Sequence, residues 1–283
     1  MLTVARPAAH RTNAEVRLEG TGLHTGAPSR VRLRSSPGPV RLRAGSVEAR
    51  IGELEVVSTA RATTVATRAG GPGDLRIGTV EHAFAALAGL GLHDGVTLEV
   101  EGPELPLLDG SASAWCAALA LLHVSAVRPR LRVTRPAAYD VGSSRYELGP
   151  TRGAVEVTVR VDFDDARLAP EATWQGDAAD FIERIAPART FALAREIDEL
   201  ARRGLARHVD PTCVVVIAPD AILHAGRPFS PDEPARHKLL DLIGDLYLHG
   251  GPPVGRVLAI RPGHAANARA IQRAVEDGVL AAG

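Results

Sequence analysis

The sequence predicts an α+β fold of two similar domains, residues 1–127 and 128–283. Three observations predict it. Both halves open on segments where apolar and polar residues alternate, the period of a half-buried strand. Both then run helix, strand, tight turn, helix with little residue identity, as an old duplication does. Between them, near Val127, the composition turns basic and proline-punctuated in "VRPRLRVTRPAAY".

In chain order, "EVRLEG" and "SRVRLRSS" alternate and read as strands, with "TGLHTGAP" as the turn between them. "TVEHAFAALAGLG" reads as a helix, with Thr79 as its N-cap and Gly89 or Gly91 as its stop. "GVTLEVEG" is a strand, and "LLDGSASAWCAALALLHV" a tight turn followed by an apolar helix. In the second half "RLRVT" and "AVEVTVRVDF" alternate, "LAREIDELARRG" is helical in composition, and "CVVVIA" is a buried strand. "RHKLLDLIGDLYLHG" is a helix, "VGRVLAI" a strand, "RPGH" a turn and "ANARAIQRAVEDGVL" a last helix. Glu81-His82 and His237-Lys238 thus stand at the starts of corresponding helices. If the halves pack face to face, those helix N-termini meet at the interface, a common place for a site.

The totals exclude several classes. Hydrophobic residues make up 45% of the chain and charged residues 23%, which is globular and not disordered. Aromatics are only 4%, so the core has to be built mainly from Leu, Val, Ala and Ile. Basic and acidic residues balance at 33 each, which argues against a nucleic-acid binder resting on net positive charge. Cys116 and Cys213 lie in apolar surroundings without CxxC spacing, and read as buried thiols of a reducing compartment. No apolar run has the length of a bilayer span or the form of a signal peptide, so a cytoplasmic chain is expected.

The stretch "RHKLLDLIGD" carries the main question. Leu239, Leu240, Leu242, Ile243 and Leu246 fall on one arc of a helix, and His237, Asp241 and Asp245 recur every fourth residue on the other. An amphipathic surface helix has this pattern, and charge stripes are usually solvated. A His and a carboxylate one turn apart can also share a metal ion. Catalytic zinc takes three protein ligands and keeps one position open for water. His82 with His237 and Asp241 makes such a set, and Glu81 beside it is placed as a general base. Spacing alone leaves both readings open, since no compact HExxH pair is present. "DGSAS" is first of all a turn and helix cap, not a serine nucleophile.

Several stretches together resemble one family, the UDP-3-O-acyl-N-acetylglucosamine deacetylases of lipid A synthesis. They are "GTGLHTG" at 20–26, "TVEHAFAALAGLG" at 79–91, "ELPLLDGSASAW" at 104–115, "ARTF" at 188–191, "RHKLLDLIGDLYLHG" at 236–250 and "GHAANARA" at 263–270. They come in the family's order and cover most of the chain. The resemblance implies two domains, each a sheet layered with helices, with the site between them. It implies one zinc ion per chain held by His82, His237 and Asp241, so that the polar arc of the helix faces the site.

The resemblance also implies roles for the neighbours. Glu81 is the base that activates water. His264 supports the leaving amine as acid or cation. The start of a helix by itself lowers an imidazolium pKa, so His264 needs a partner, and Asp245 matches it. Thr190 matches the hydroxyl that holds the oxyanion. Lys238 matches a sugar-nucleotide contact and Phe191 an apolar wall. Phe163 and Arg261 match the uridine diphosphate end, and His24 a position near the substrate. The implied partner is an acylated UDP-amino-sugar, with no nucleic acid, at most transient contact with a membrane surface, and a monomeric chain.

Four departures from the family pattern stand out. Arg207, His208, Val209, Asp210, Pro211, Thr212 and Cys213 replace a glycine-rich stretch on the acyl side. Leu92, His93, Asp94 and Gly95 alter a turn, the tail after the last helix is short, and Ala192 and Ala194 are smaller than usual. The departures keep two other readings in play. One is the same chemistry on a different acylamino sugar nucleotide. The other is a ligand-binding homologue without turnover.

Overall fold

The structure, a computed structural model, describes residues 15–68, 75–202 and 212–283. Residues 203–211, which hold most of the departure on the acyl side, lie outside the described residues.

Two five-stranded sheets carry the architecture. The first contains β1 (Glu15–Thr21), β2 (Pro28–Pro39), β3 (Arg41–Ala44), β4 (Val47–Arg50) and a later strand, Asp94–Glu101. Between β4 and that strand come β5 (Leu54–Ser58), β6 (Thr64–Thr67), β7 (Arg76–Ile77) and α1 (Glu81–Gly89), so Asp94–Glu101 is β8. After α2 (Ser113–Ala120) and β9 (Leu131–Val133), the second sheet uses β10 (Ala137–Val141), β11 (Ser144–Gly149), β12 (Val155–Arg160) and β13 (Glu171–Trp174). Its fifth strand, Gly255–Ile260, comes late. Before it lie α3 (Ala178–Asp180), a π-helical stretch at Phe181–Ile185, β14 (Thr190–Leu193), α4 (Ala194–Arg202), β15 (Val214–Ile217), β16 (Ile222–Leu223) and α5 (Glu233–Tyr247). That late strand is β17, followed by α6 (His264–Glu276) and β18 (Leu280–Ala282).

The strand orders are β1-β2-β8-β3-β4 and β10-β11-β17-β12-β13. In each sheet the late strand inserts centrally, antiparallel to the second strand and parallel to the third. Two sheets sharing this unusual order are what a duplication leaves behind. α1 packs on α2 and on α5, and α5 packs on α6, β12 and β13. One apolar core runs from Leu33 and Leu98 in the first sheet, through Phe84 and Leu240, to Val157 and Val257 in the second.

Alternation decides which face of each sheet is buried. In β2, Val31 and Leu33 are buried while Arg30 is exposed. The outer face is an Arg–Glu lattice, with Arg32 at 3.2 Å and Arg43 at 3.3 Å from Glu99. Each such surface pair contributes only about 0–1 kcal/mol, so the inner face carries the stability. α5 has no wet side through its middle. Leu239, Leu240, Leu242, Ile243 and Leu246 are buried, and so are His237, Asp241 and Asp245.

Three local expectations are corrected. Thr79 does not cap α1; it sits at φ 53° and its hydroxyl donates to Glu104 Oε1 at 2.6 Å, leaving Val80 at the cap position. His237-Lys238 do not begin their helix. α5 starts four residues earlier at Glu233, with Pro234 in its first turn. The N-terminus of α1 therefore meets the middle of α5, not its start. The last helix stops at Glu276 where Gly278 turns at φ 67°, and "GVL" leads into β18, paired with β9. Gly91 does end the first helix segment, at φ 67° with its N–H on the Ala88 carbonyl.

The crossing of α1 and α5 is unusually close because of Gly244. A Cβ there would lie 2.2 Å from the Glu81 carbonyl oxygen. Gly244→Ala should destabilise the fold by about 1–3 kcal/mol through overpacking, although Ala is the better helix former. Urea denaturation reads this as a lower midpoint at unchanged slope, and a midpoint at or above wild type would remove the packing argument.

Candidate metal centre and active site

Glu81 and His82 are the first two residues of α1, His237, Asp241 and Asp245 lie on successive turns of α5, and His264 is the first residue of α6. The three helices converge on a cavity of about 880 Å³. Glu81, His82, His237, Asp241 and His264 line it, together with Thr190, Phe191, Phe163, Lys238, Arg261 and His24. Asp245 is the one expected site residue that stands behind this wall.

Ligand atoms of His82, His237 and Asp241 all lie within 4.8 Å of one another, making a candidate metal site. Each residue is fitted for that use. Burial lowers the His82 imidazole to about 3, with His237 adding to the effect. Burial also lowers His237, against the pull of Asp241. Both rings are thus neutral at neutral pH, as ligands must be. His237 Nδ1 donates to the Ala188 carbonyl at 3.0 Å, which leaves Nε2 as its ligand atom. Burial alone would raise the Asp241 carboxyl, but Lys238, His237 and His264 outweigh it and hold Asp241 well below the usual range. Lys238 Nζ donates to Asp241 Oδ2 at 2.8 Å, while among the described residues no donor bonds the buried Oδ1. Two neutral imidazoles and an unpartnered carboxylate oxygen fit a borderline-soft divalent cation.

Glu81 and His264 face each other across this centre. Glu81 Oε2 accepts the Thr63 backbone N–H at 3.0 Å, and Oε1 is 3.8 Å from His264 Nε2. Burial raises the Glu81 carboxyl to about 7, with His264 opposing and Asp241 and Asp245 reinforcing the rise. Burial would lower His264, but Asp245, Asp241 and Glu81 overcome it and raise the imidazole to about 9. The helix start is thus outweighed by carboxylates, led by Asp245, whose Oδ2 is 3.1 Å from His264 Nδ1. Two groups whose surroundings push their pKa values in this way can serve as a base and an acid at one pH.

The small sheet β14-β15-β16 supplies much of the remaining cavity wall. Thr190 is anchored by its N–H to the Gly110 carbonyl at 2.7 Å. Phe191 packs edge-on against Phe163 at 5.4 Å and against His237 at 6.1 Å, with Lys238 Nζ 5.6 Å above its ring. Leu193, Ile197, Val214, Val216 and Leu223 extend this wall as an apolar arm. Arg261, also on the cavity wall, donates from Nε to the Ser143 carbonyl at 2.8 Å.

His24 is held through its backbone. The N–H groups of His24 and Thr25 and the hydroxyls of Thr25 and Thr79 all donate to the buried carboxylate of Glu104. Both ring nitrogens of His24 lack hydrogen-bond partners among the described residues. Ser111 is tied to Asp109 at 2.8 Å and accepts the Ser113 N–H at 3.1 Å, so "DGSAS" is a turn leading into α2, but the cap position falls to Ala112, which has no side-chain oxygen to cap the helix.

Sequence reasoning missed five supporting residues. Glu104 lay inside a quoted motif, but nothing in its neighbours marks it as an anchor. Arg189 and Glu233, both buried, form a two-pronged pair at 2.8 and 3.0 Å that ties the start of α5 to the Ala188–Thr190 segment. Asn267 donates to Asp245 Oδ2 at 2.8 Å and accepts from the Tyr146 hydroxyl at 2.6 Å. Thr63 touches both Asp245 and His264. These partners are 22 to 201 residues away in sequence, so no local signal marks them. The altered turn at Leu92–Gly95 is also more than a turn. His93 stacks on Tyr247 at 5.2 Å, and the Tyr247 hydroxyl donates to the Leu92 carbonyl, which joins the end of α5 to the start of β8.

Comparison with known proteins agrees with this arrangement. The sequence profile of the LpxC family, described as UDP-3-O-acyl N-acetylglycosamine deacetylase, matches residues 10–276. A UDP-3-O-acyl-N-acetylglucosamine deacetylase of Myxococcus xanthus (strain DK1622) is 36% identical over 274 residues, 92% of this chain and 84% of the relative. Those of Shewanella loihica (strain ATCC BAA-1088 / PV-4) and Anaeromyxobacter dehalogenans (strain 2CP-C) are 36% and 35% identical, over 89% and 91% of this chain and 84% of each relative. A profile match over nearly the whole chain, on a fold whose three helices bring His, Asp and Glu to one cavity, makes this chain a member of the UDP-3-O-acyl N-acetylglycosamine deacetylase family.

Proposed function

We propose that the chain is a zinc-dependent amidohydrolase that removes the N-acetyl group of a UDP-3-O-acyl-N-acetylglucosamine, an early step of lipid A synthesis. The single observation that carries this reading is the convergence of a two-His, one-Asp ligand set with a Glu and a His 3.8 Å apart in one cavity. A bound divalent ion supplies Lewis acidity to the carbonyl and brings a water's pKa from about 15.7 towards about 7. Zinc is favoured by the His–His–Asp donor set.

The chain's own groups perform the rest. Glu81, held by Thr63, takes the proton from the attacking water as its oxygen bonds to the acetyl carbon. Thr190 stabilises the oxyanion that develops there. His264 enters as imidazolium, its Nδ1 on Asp245, and gives the Nε2 proton to the nitrogen as the C–N bond breaks. Acetate and the free amine leave. Lys238, Arg261, Phe163 and His24 bind the nucleotide sugar, Phe191 walls the sugar, and the apolar arm takes the acyl chain. The chain acts as a cytoplasmic monomer that touches a membrane surface only transiently. Among the described residues no helix is long and apolar enough to cross a membrane.

The test is acetate release from acylated UDP-N-acetylglucosamine by the zinc-loaded protein, compared with the unacylated sugar nucleotide. Release that requires the acyl chain supports the reading. Equal or better turnover of the unacylated substrate would point to a different acylamino sugar. No release of acetate from any acetamido sugar by folded, loaded protein would point to a binding homologue.

The pH dependence follows from the two opposed shifts. Activity needs Glu81 ionised, so it rises with pH through a limb at or below about 7, since a bound cation favours the carboxylate. It needs His264 protonated, so it falls above about 9. A kcat/KM profile should therefore be bell-shaped with its maximum between those limbs, and a profile still rising above pH 10 would remove His264 as the proton donor.

A further inference from the structure

We infer that Thr63 is a positioning residue that holds the base and the acid apart at a working separation; this rests on the deacetylase reading above. Thr63 stands just before β6, with only 2% of its surface exposed, and no sequence motif includes it. Its backbone is fixed on both sides to the first turn of α1. The Thr63 N–H donates to Glu81 Oε2 at 3.0 Å, and its carbonyl accepts the Val80 N–H at 3.2 Å.

The side chain reaches the other partner. Thr63 Oγ1 donates to Asp245 Oδ1 at 2.6 Å and lies 3.2 Å from His264 Nδ1. A hydroxyl has one proton, and Asp245 takes it, so towards His264 the oxygen is an acceptor. Between two such acceptors His264 carries its proton on Nδ1, shared between Thr63 Oγ1 and Asp245 Oδ2 at 3.1 Å. Asn267 occupies the remaining side of Oδ2 at 2.8 Å. Every acceptor on that side of His264 is therefore fixed, and Nε2 is the only nitrogen left to face the cavity.

One residue thus sets both members of the pair. It holds Glu81 by Oε2, which points Oε1 inward, and it holds His264 by Nδ1, which points Nε2 inward. The two inward atoms are 3.8 Å apart, too far for a direct hydrogen bond. From that separation a small shift of either side chain would bring the two into contact, and each would then satisfy the other instead of the substrate. Removal of the hydroxyl releases His264 towards Glu81 and unpins Asp245 Oδ1.

The experiment compares wild type with Thr63→Val, which keeps the shape but not the hydroxyl, and Thr63→Ser, which keeps the hydroxyl. Steady-state acetate release is measured on zinc-loaded protein, and the His264 ring protons and nitrogens are followed by NMR. Thr63→Val should lower kcat by about 10- to 100-fold, the usual cost of losing an outer-shell partner. KM should stay within about twofold and metal content should be unchanged, because Thr63 touches neither substrate nor ligand. Thr63→Ser should restore most of kcat. The His264 Nδ1 proton should shift and exchange faster in the valine variant alone. A wild-type kcat in Thr63→Val, equal losses in both variants, or a loss confined to KM would overturn the assignment. If Thr63→Val lowers the melting temperature strongly, Thr63→Ala repeats the test without the branched methyl. If wild type itself releases no acetate, the deacetylase reading falls, and the NMR comparison alone decides whether Thr63 holds His264.

Discussion

Glu81→Gln should lower kcat by about 10²- to 10⁴-fold, the contribution of a positioned general base. KM and metal content should stay near wild type. The substitution is nearly isosteric, so the Thr63 N–H can still bond the side-chain oxygen, and what disappears is basicity. The same change should not harm the fold. Burial raises the folded-state pKa of Glu81 to about 7, above its value in the unfolded chain. The cost of ionising it in the native state therefore appears as pH rises through that window and is fully present at pH 8. Glutamine carries no such cost, so the metal-free variant should melt at or above the wild-type temperature there, by on the order of a few kcal/mol in stability. A gain in stability with a loss of turnover is what a strained functional carboxylate predicts. Turnover of Glu81→Gln within threefold of wild type would exclude Glu81 as the base.

The metal site makes the second large prediction, and two substitutions of Asp241 divide it. Asp241→Asn keeps a side chain that can accept from Lys238 but loses the charged ligand. Metal content after dialysis should fall from one ion per chain to near zero. The loss should exceed the ~10- to 100-fold change in affinity typical of outer-shell partners. Asp241→Ala should do the same and also weaken the metal-free fold, by about 3–5 kcal/mol, because it strands Lys238 without its carboxylate. The sign with pH follows from the lowered pKa. The stabilisation from Asp241 is present above the unfolded carboxylate value and is lost as pH falls through the folded one. Elemental analysis and thermal melts of the two variants, with and without chelator, read both effects. Full metal occupancy in Asp241→Asn would remove Asp241 from the ligand set.

Much of this protein was legible in its residues. The order of strands and helices follows from period-2 and period-3.6 patterning, which is local and survives in any tertiary context. The repeat of that order foresaw two sheets of one topology, and the apolar settings of Cys116 and Cys213 foresaw two buried thiols. His82, His237 and Asp241 were nameable from spacing and motif, and their ligand atoms do converge.

Other features belong to the tertiary structure alone. The pattern of α5 is equally that of a surface helix, because amphipathicity records only that two faces differ. Its polar arc is buried because α1 crosses it at Gly244 and α6 closes beside it. Thr79 has the chemistry of a cap, yet a distant carboxylate, Glu104, claims its hydroxyl. His264 at a helix start reads as a depressed imidazole until Asp245, Asp241 and Glu81 are placed around it. Thr63, Arg189, Glu233 and Asn267 gain their meaning from partners far along the chain. Local pattern determines which elements form and which of their faces can be buried. Charge, protonation state and hydrogen-bond partner depend on what stands within a few ångströms, and only the packed chain sets that.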